Sequence, residues 1–252
     1  MKVHRTLLGC LPCLLAVPLL AQPQIGGGSC TSASLTGAYS ATLTGRDLNS
    51  ATFTSASHSV GSATFDGLSK VTFTLLNNSS KLFGVSQTLS GTYSLQANCI
   101  GVVSITSGDT ASFTLEAYNQ GRNYLMTGQD GASAFTGSGN LLPATCPTTI
   151  PAGSYSYNGT GFGLGSGAIT SVFNISAIIT FSGTNSITLT EYLTSATGPK
   201  TASVTGTYTV MPNCVATATA LDTVGNAYNL TFELTSGTGE NFSMISSSPA
   251  KR

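Results

Sequence analysis

Few residues in this chain could do chemistry, and most are placed where they would not. Beyond the leader the sequence has a single histidine, His58, in the run SASHSVGSATF, and its counterpart one repeat later is Asn174. A base shared by two copies would appear in both, so His58 reads as an exposed or strand-end residue. Glu116 and Glu233 are the matched carboxylates. Each follows an alternating Phe and Leu phase, so both are expected to face solvent. Glu191 differs: it continues the inward face of Ile187 and Leu189, where the first copy has Leu75. A carboxylate on a core face needs a partner or a raised pKa, and it could orient a ligand in an apolar pocket. Tyr39, Tyr93, Tyr155 and Tyr208 are the other polar groups whose strands could turn them inward. Glu191 and these four tyrosines form the candidate ligand-binding set; no residue is assigned a catalytic role. Gly159 to Ala168 (GTGFGLGSGA) lacks the G-x-G-x-x-G spacing of a dinucleotide loop and reads as a mobile loop between two strands. No cluster has metal-ligand spacing, so neither metal nor cofactor is expected.

The elements that must hold these residues begin after a leader. Lys2, His4 and Arg5 precede an apolar run from Leu7 to Leu20, shorter than the roughly 20 residues that span a bilayer. This is the pattern of a secretory signal peptide over residues 1–21, cleaved after Ala21. The Cys10-Leu-Pro-Cys13 pair, which looks like a redox motif, falls inside it. Removing Lys2 and Arg5 leaves seven basic against nine acidic residues. No basic patch exists to hold phosphates, which argues against nucleic acid as a partner. No later segment approaches a membrane span, so the expected localisation is secreted, periplasmic or at the cell surface.

The mature chain is written twice. Cys30, Gly37, Tyr39, Phe65 and Gly67 recur 116 residues later as Cys146, Gly153, Tyr155, Phe181 and Gly183. GTYSLQANC from Gly91 recurs as GTYTVMPNC from Gly206. A period this long makes each copy a domain, here 22–140 and 141–252. Within each copy the apolar period is two: Val71, Phe73 and Leu75 alternate with threonines, as do Ile187 and Leu189. Asp66-Gly67 between alternating runs signals a tight hairpin. The first copy counts eight strands joined by short links and the second seven, its chain ending where an eighth would begin. The fold class is therefore all-β: two tandem antiparallel up-and-down β-barrel-like domains, the second one strand short. The short copy should leave edges that pair with another chain or are blunted by the tail Pro249 to Arg252. Four mature cysteines allow three pairings, and only Cys30–Cys99 with Cys146–Cys214 respects the duplication.

The repeated G-T-Y-x-V/L-x-x-N-C pattern, midway through a Gly/Thr-rich meander behind a signal peptide, resembles uncharacterised exported proteins of soil bacteria. Those are similar in turn to calycin-type and allene-oxide-cyclase-type β-barrels. The resemblance covers most of the mature chain; it implies a barrel and carries over no catalytic residue. The sequence thus points to an exported, non-enzymatic protein that binds a small apolar ligand or acts through its surface. A cyclase or isomerase working on an apolar substrate and an adhesin-like structural role are the alternatives.

Overall fold

The computed structural model describes residues 29–247 except 48–55, 80–82, 132, 166–167, 197, 237 and 240. Residues 1–21, expected from the sequence to be a signal peptide, and the tail from Pro249 to Arg252 lie outside the described residues. The first repeat comprises β1 (Thr36–Asp47), β2 (Ala56–Asp66), β3 (Lys70–Ser79), β4 (Phe83–Leu95), β5 (Ile100–Ser107), β6 (Ala111–Tyr118), β7 (Asn123–Gln129) and β8 (Ser133–Asn140). Every neighbour is antiparallel, and β8 returns to β1 through Thr42↔Ser138 to Asp47↔Ser133, closing the barrel. The second repeat comprises β9 (Gly153–Gly165), β10 (Ala168–Phe181), β11 (Ser186–Ser195), β12 (Gly198–Val210), β13 (Val215–Asp222), β14 (Ala227–Leu234) and β15 (Phe242–Ser247). These seven form one meandering sheet, a half-barrel with β9 and β15 at its edges.

The duplication is written in the cores. In the first repeat, Phe65 meets Tyr39 at 5.4 Å, Tyr93 at 4.9 Å and Tyr124 at 5.5 Å, all edge to face. In the second, Phe181 meets Tyr155 at 5.6 Å, Tyr208 at 5.1 Å and Phe242 at 5.8 Å in the same manner. Such T-shaped pairs add to the burial each ring already contributes. Each cluster sits at one end of its sheet, beneath the segment that enters the repeat. Leu35 and Ile150 plug those ends, both fully buried. The Tyr93 hydroxyl, 2.8 Å from the carbonyls of both Ser32 and Leu35, donates to them, and the Tyr208 hydroxyl donates to Ile150 at 3.2 Å. A buried phenol needs such an acceptor, and a plug carbonyl needs a donor.

The repeated Asn-Cys step has a backbone reason. Cys99 and Cys214 adopt φ of 66° and 63°, the left-handed region usually left to glycine. Each closes a short hairpin loop: Cys99 N–H donates to Gln96 and Cys214 N–H to Met211, at 2.9 and 3.2 Å. The preceding asparagine supports the reversal, with Asn98 Oδ1 accepting from Ile100 and Asn213 Oδ1 from Val215. The reversal aims each cysteine at the entering segment, and Cys30–Cys99 and Cys146–Cys214 are bonded with Cα atoms 4.9 Å apart. The next repeated turn swaps its chemistry. Asp66 Oδ1 accepts from Leu68, Ser69 and Lys70, whereas Ser182 Oγ accepts from Thr184 and Ser186.

The stretch from Gly159 departs from expectation. It is strand, not loop: β9 runs through it and stays paired with β10 to Gly165↔Ala168. Glycine at alternate positions leaves one face without side chains, which erases the period-two signal. The space is used, since a Cβ on Gly161 would fall 2.0 Å from the Phe173 ring. A ring laid over a strand glycine compensates for its missing side chain.

Replacing Cys30 and Cys99 together by serine frees a 69-residue loop and should cost roughly 4 kcal/mol in urea denaturation. The Cys146 and Cys214 pair, with a separation of 68, should cost the same amount. A loss confined to one repeat would break the equivalence of the two staples.

Candidate functional site

Strand register places one inward row at the same height in each repeat. In the first it reads Ala41, Gly61, Leu75, Gln87 across β1 to β4. In the second it reads Tyr157, Ala177, Glu191, Ala202 across β9 to β12. Glu191 is 5% exposed and Ala177 4%, so the carboxyl sits on the concave face between two alanines. It forms no hydrogen bond or ion pair among the described residues. Burial holds its pKa above the ordinary carboxylate value. Tyr157, in the same row, and Tyr228, inward on β14, both have phenols pushed up, first by burial and then by Glu191. Lys200 precedes Ala202 by two positions on the same face, at the rim away from the plug, and its side chain is exposed.

The first barrel treats its corresponding end differently. Ser59 Oγ donates to Asn77 Oδ1 at 2.5 Å, Asn77 Nδ2 to Gln87 Oε1 at 2.6 Å, and Gln87 Nε2 to the Gly108 carbonyl at 3.0 Å. This chain of amides satisfies itself, whereas the second repeat leaves a carboxyl open at that height.

The four tyrosines singled out with Glu191 do not gather around it. They belong to the ring clusters at the plugged ends. The Tyr39 hydroxyl donates to Gly121 at 2.6 Å and the Tyr155 hydroxyl to Pro151 at 3.1 Å. The tyrosines beside Glu191 are Tyr157 and Tyr228, which sequence reasoning missed. Tyr157 follows Tyr155 by two and so shares its inward face, a signal that was there to be used.

Glu233 corrects an expectation. Its side chain does point away from the core of its own repeat, but that outer face is not solvated. Strands β14 and β15 lie against β2 of the first barrel. Val60, on the outer face of β2, is 1% exposed, Ser40 on β1 2%, and Glu233 0%. Glu233 Oε2 accepts from the Ala41 N–H at 3.1 Å, while Oε1 has no partner. Burial pushes its pKa up to about 9, against the lowering pull of the Ala41 bond. Its matched residue Glu116 is half-buried. His58 is half-buried on the outer face of β2, hydrogen-bonded to Thr44 at 3.1 Å, with its pKa lowered by burial.

A cleft of about 350 Å3 lies where the repeats meet, lined by Asn119, Arg122, Asn123 and Asn140 from one and Thr235 and Asn241 from the other. Its amides are largely spent on one another, Asn119 donating to Asn123 and Asn123 to Asn140. Among the described residues no group of three or more His, Cys, Asp or Glu side chains could hold a metal ion. No helix among them is long and apolar enough to cross a membrane. No family model, curated protein or solved structure matches the chain.

Two consequences can be measured. Glu233 keeps its proton in the folded chain and loses it above pH 4.5 when unfolded, so the native state binds more protons and stability falls as pH rises toward 9. The slope should approach 1.4 kcal/mol per pH unit. His58 loses stability only as pH drops below 6.5, outside the pH 7–9 window. Glu233→Gln should therefore flatten urea-derived stability between pH 7 and 9; an unchanged slope would mean the carboxyl is hydrated. Glu191→Leu, the side chain of the first repeat, should raise stability at pH 7 by about 1–3 kcal/mol, because the buried carboxyl is removed without leaving a void. A loss would show that Glu191 has a structural partner.

Proposed function

We propose that the protein is an exported binding protein in which the first barrel is scaffold and the open end of the second takes a small, mostly apolar molecule. The observation that carries this reading is the inward row Tyr157, Ala177, Glu191, Ala202: an open carboxyl between small side chains on a concave apolar face. Ligand sites combine an apolar lining with a few polar groups that set orientation. Ile175, Ile179 and Leu193 supply the lining here; Tyr157 and Tyr228 supply phenols. The first barrel supports the scaffold role, since the same row there carries Leu75 and its ring cluster packs the core. Export is supported by the leader over residues 1–21 and by two disulfides, which persist in oxidising compartments.

Surface pairing is a second reading with its own support. No ladder joins β9 to β15 among the described residues, and such edges invite strands from other chains. Part of that edge is already occupied, because β15 rests against β2.

Titration with an uncharged fluorescent apolar dye tests the binding reading. A single saturable site is expected, and Ala202→Phe, which fills the row beside Glu191, should abolish it while leaving the far-ultraviolet circular dichroism intact. A dye site indifferent to Ala202→Phe, or no site at all, would refute it. The intact mass of protein recovered from the culture medium should correspond to a chain starting at Gln22.

A further inference from the structure

Given that binding reading, on which this inference rests, we propose that the ligand carries a basic amine whose ammonium pairs with the Glu191 carboxylate inside the second half-barrel. The groups facing Glu191 define the case. From β9 it faces Tyr157; from β10, only Ala177 with Ile175 and Ile179 on either side. From β12 it faces Ala202, with Lys200 exposed at the rim. Asp222 on β13 lies outside this row, opposite Val204, and its carboxylate accepts within its own turn from the backbone of Val224 and Asn226 and from the Asn226 side chain. From β14 comes Tyr228.

No buried cation stands among these groups. Two phenols beside the carboxyl give the open end of the row a hydrogen-bonding character. Burial disfavours the charged form of this carboxyl, and a neutral ligand does nothing to offset that. An ammonium supplies a counter-charge that favours the ionised carboxylate, and a charge-assisted N–H···O bond forms between them. The apolar body of the amine then lies along Ala177, Ile175 and Leu193. The first barrel cannot do this, because Leu75 stands where the carboxylate would be.

Calorimetric titration of the full mature protein with n-octylamine and n-octanol at pH 7 separates the possibilities. The two probes share an alkyl chain and differ in charge. The amine should bind about tenfold more tightly than the alcohol, as expected for a charge-assisted over a neutral bond. Repeating the amine titration at about pH 5 in buffers of different ionisation enthalpy should reveal proton release. Glu191→Gln should bring the amine down to the alcohol's affinity and leave the alcohol unchanged. Equal affinities in the unmodified protein, or a preference that survives Glu191→Gln, would overturn the amine assignment while the binding reading stands. Failure of both probes to bind, with the dye site also absent, would overturn the binding reading and this inference with it. Glu191→Leu, which restores the first repeat's side chain, serves as a second folded variant that should likewise lose the preference.

Discussion

Seven strands do not close as eight do, and the arrangement of this molecule follows from that count. In the first repeat β8 returns to β1, so the sheet leaves no free edge. In the second, no strand occupies the position of β8 among the described residues, and β9 and β15 stand as edges. The ring cluster partly compensates: Tyr155 on β9 and Phe242 on β15 are 5.6 Å apart, so the seam is held from inside by side chains, not by a ladder. The outside of the same region is covered by the first barrel, with β14 and β15 lying on β2. That contact explains two residues that look wrong in isolation, an outward-facing Val60 and a carboxyl on Glu233, both buried. An edge strand resting on a neighbouring repeat is less open to pairing with other chains.

Glu233 shows the cost of this solution. The Ala41 N–H satisfies one oxygen and leaves the other without a partner. The group therefore stays protonated at neutral pH instead of bringing a charge into the interface. The Tyr124 phenol, buried just inside the first barrel, is pushed up by burial and then by this carboxyl. The closeness of the two groups places the interface within reach of the first core.

Much of this was legible in the sequence. Strand type and number followed from period-two alternation, because burying one face of a sheet leaves no other pattern. The cysteine pairing followed from the duplication. What failed did so for identifiable reasons. The Gly159 stretch read as loop because glycine carries no side chain with which to alternate. Glu233 was correctly assigned to the outer face, but no local pattern tells which outer face another repeat will cover. Tyr39, Tyr93, Tyr155 and Tyr208 were chosen with Glu191 because all face inward, yet facing inward does not mean sharing a height. Height depends on cross-strand register, and that alone puts Tyr157 rather than Tyr155 in the row of Glu191.

The two copies agree where the fold is held and differ where it is not. At the plugged ends the rings, the left-handed cysteines and the tyrosine-to-plug hydrogen bonds recur almost atom for atom. At the far ends one copy closes a chain of amides from Ser59 through Asn77 to Gln87, and the other sets Glu191 among alanines. A buried carboxyl without a partner adds nothing to the packing that leucine supplies at that height in the first repeat. The first repeat builds the same row without a carboxyl, so the fold itself does not require one there. The closed barrel thus covers part of its neighbour's outer face, and the half-barrel carries an inward carboxyl at the end away from its plug.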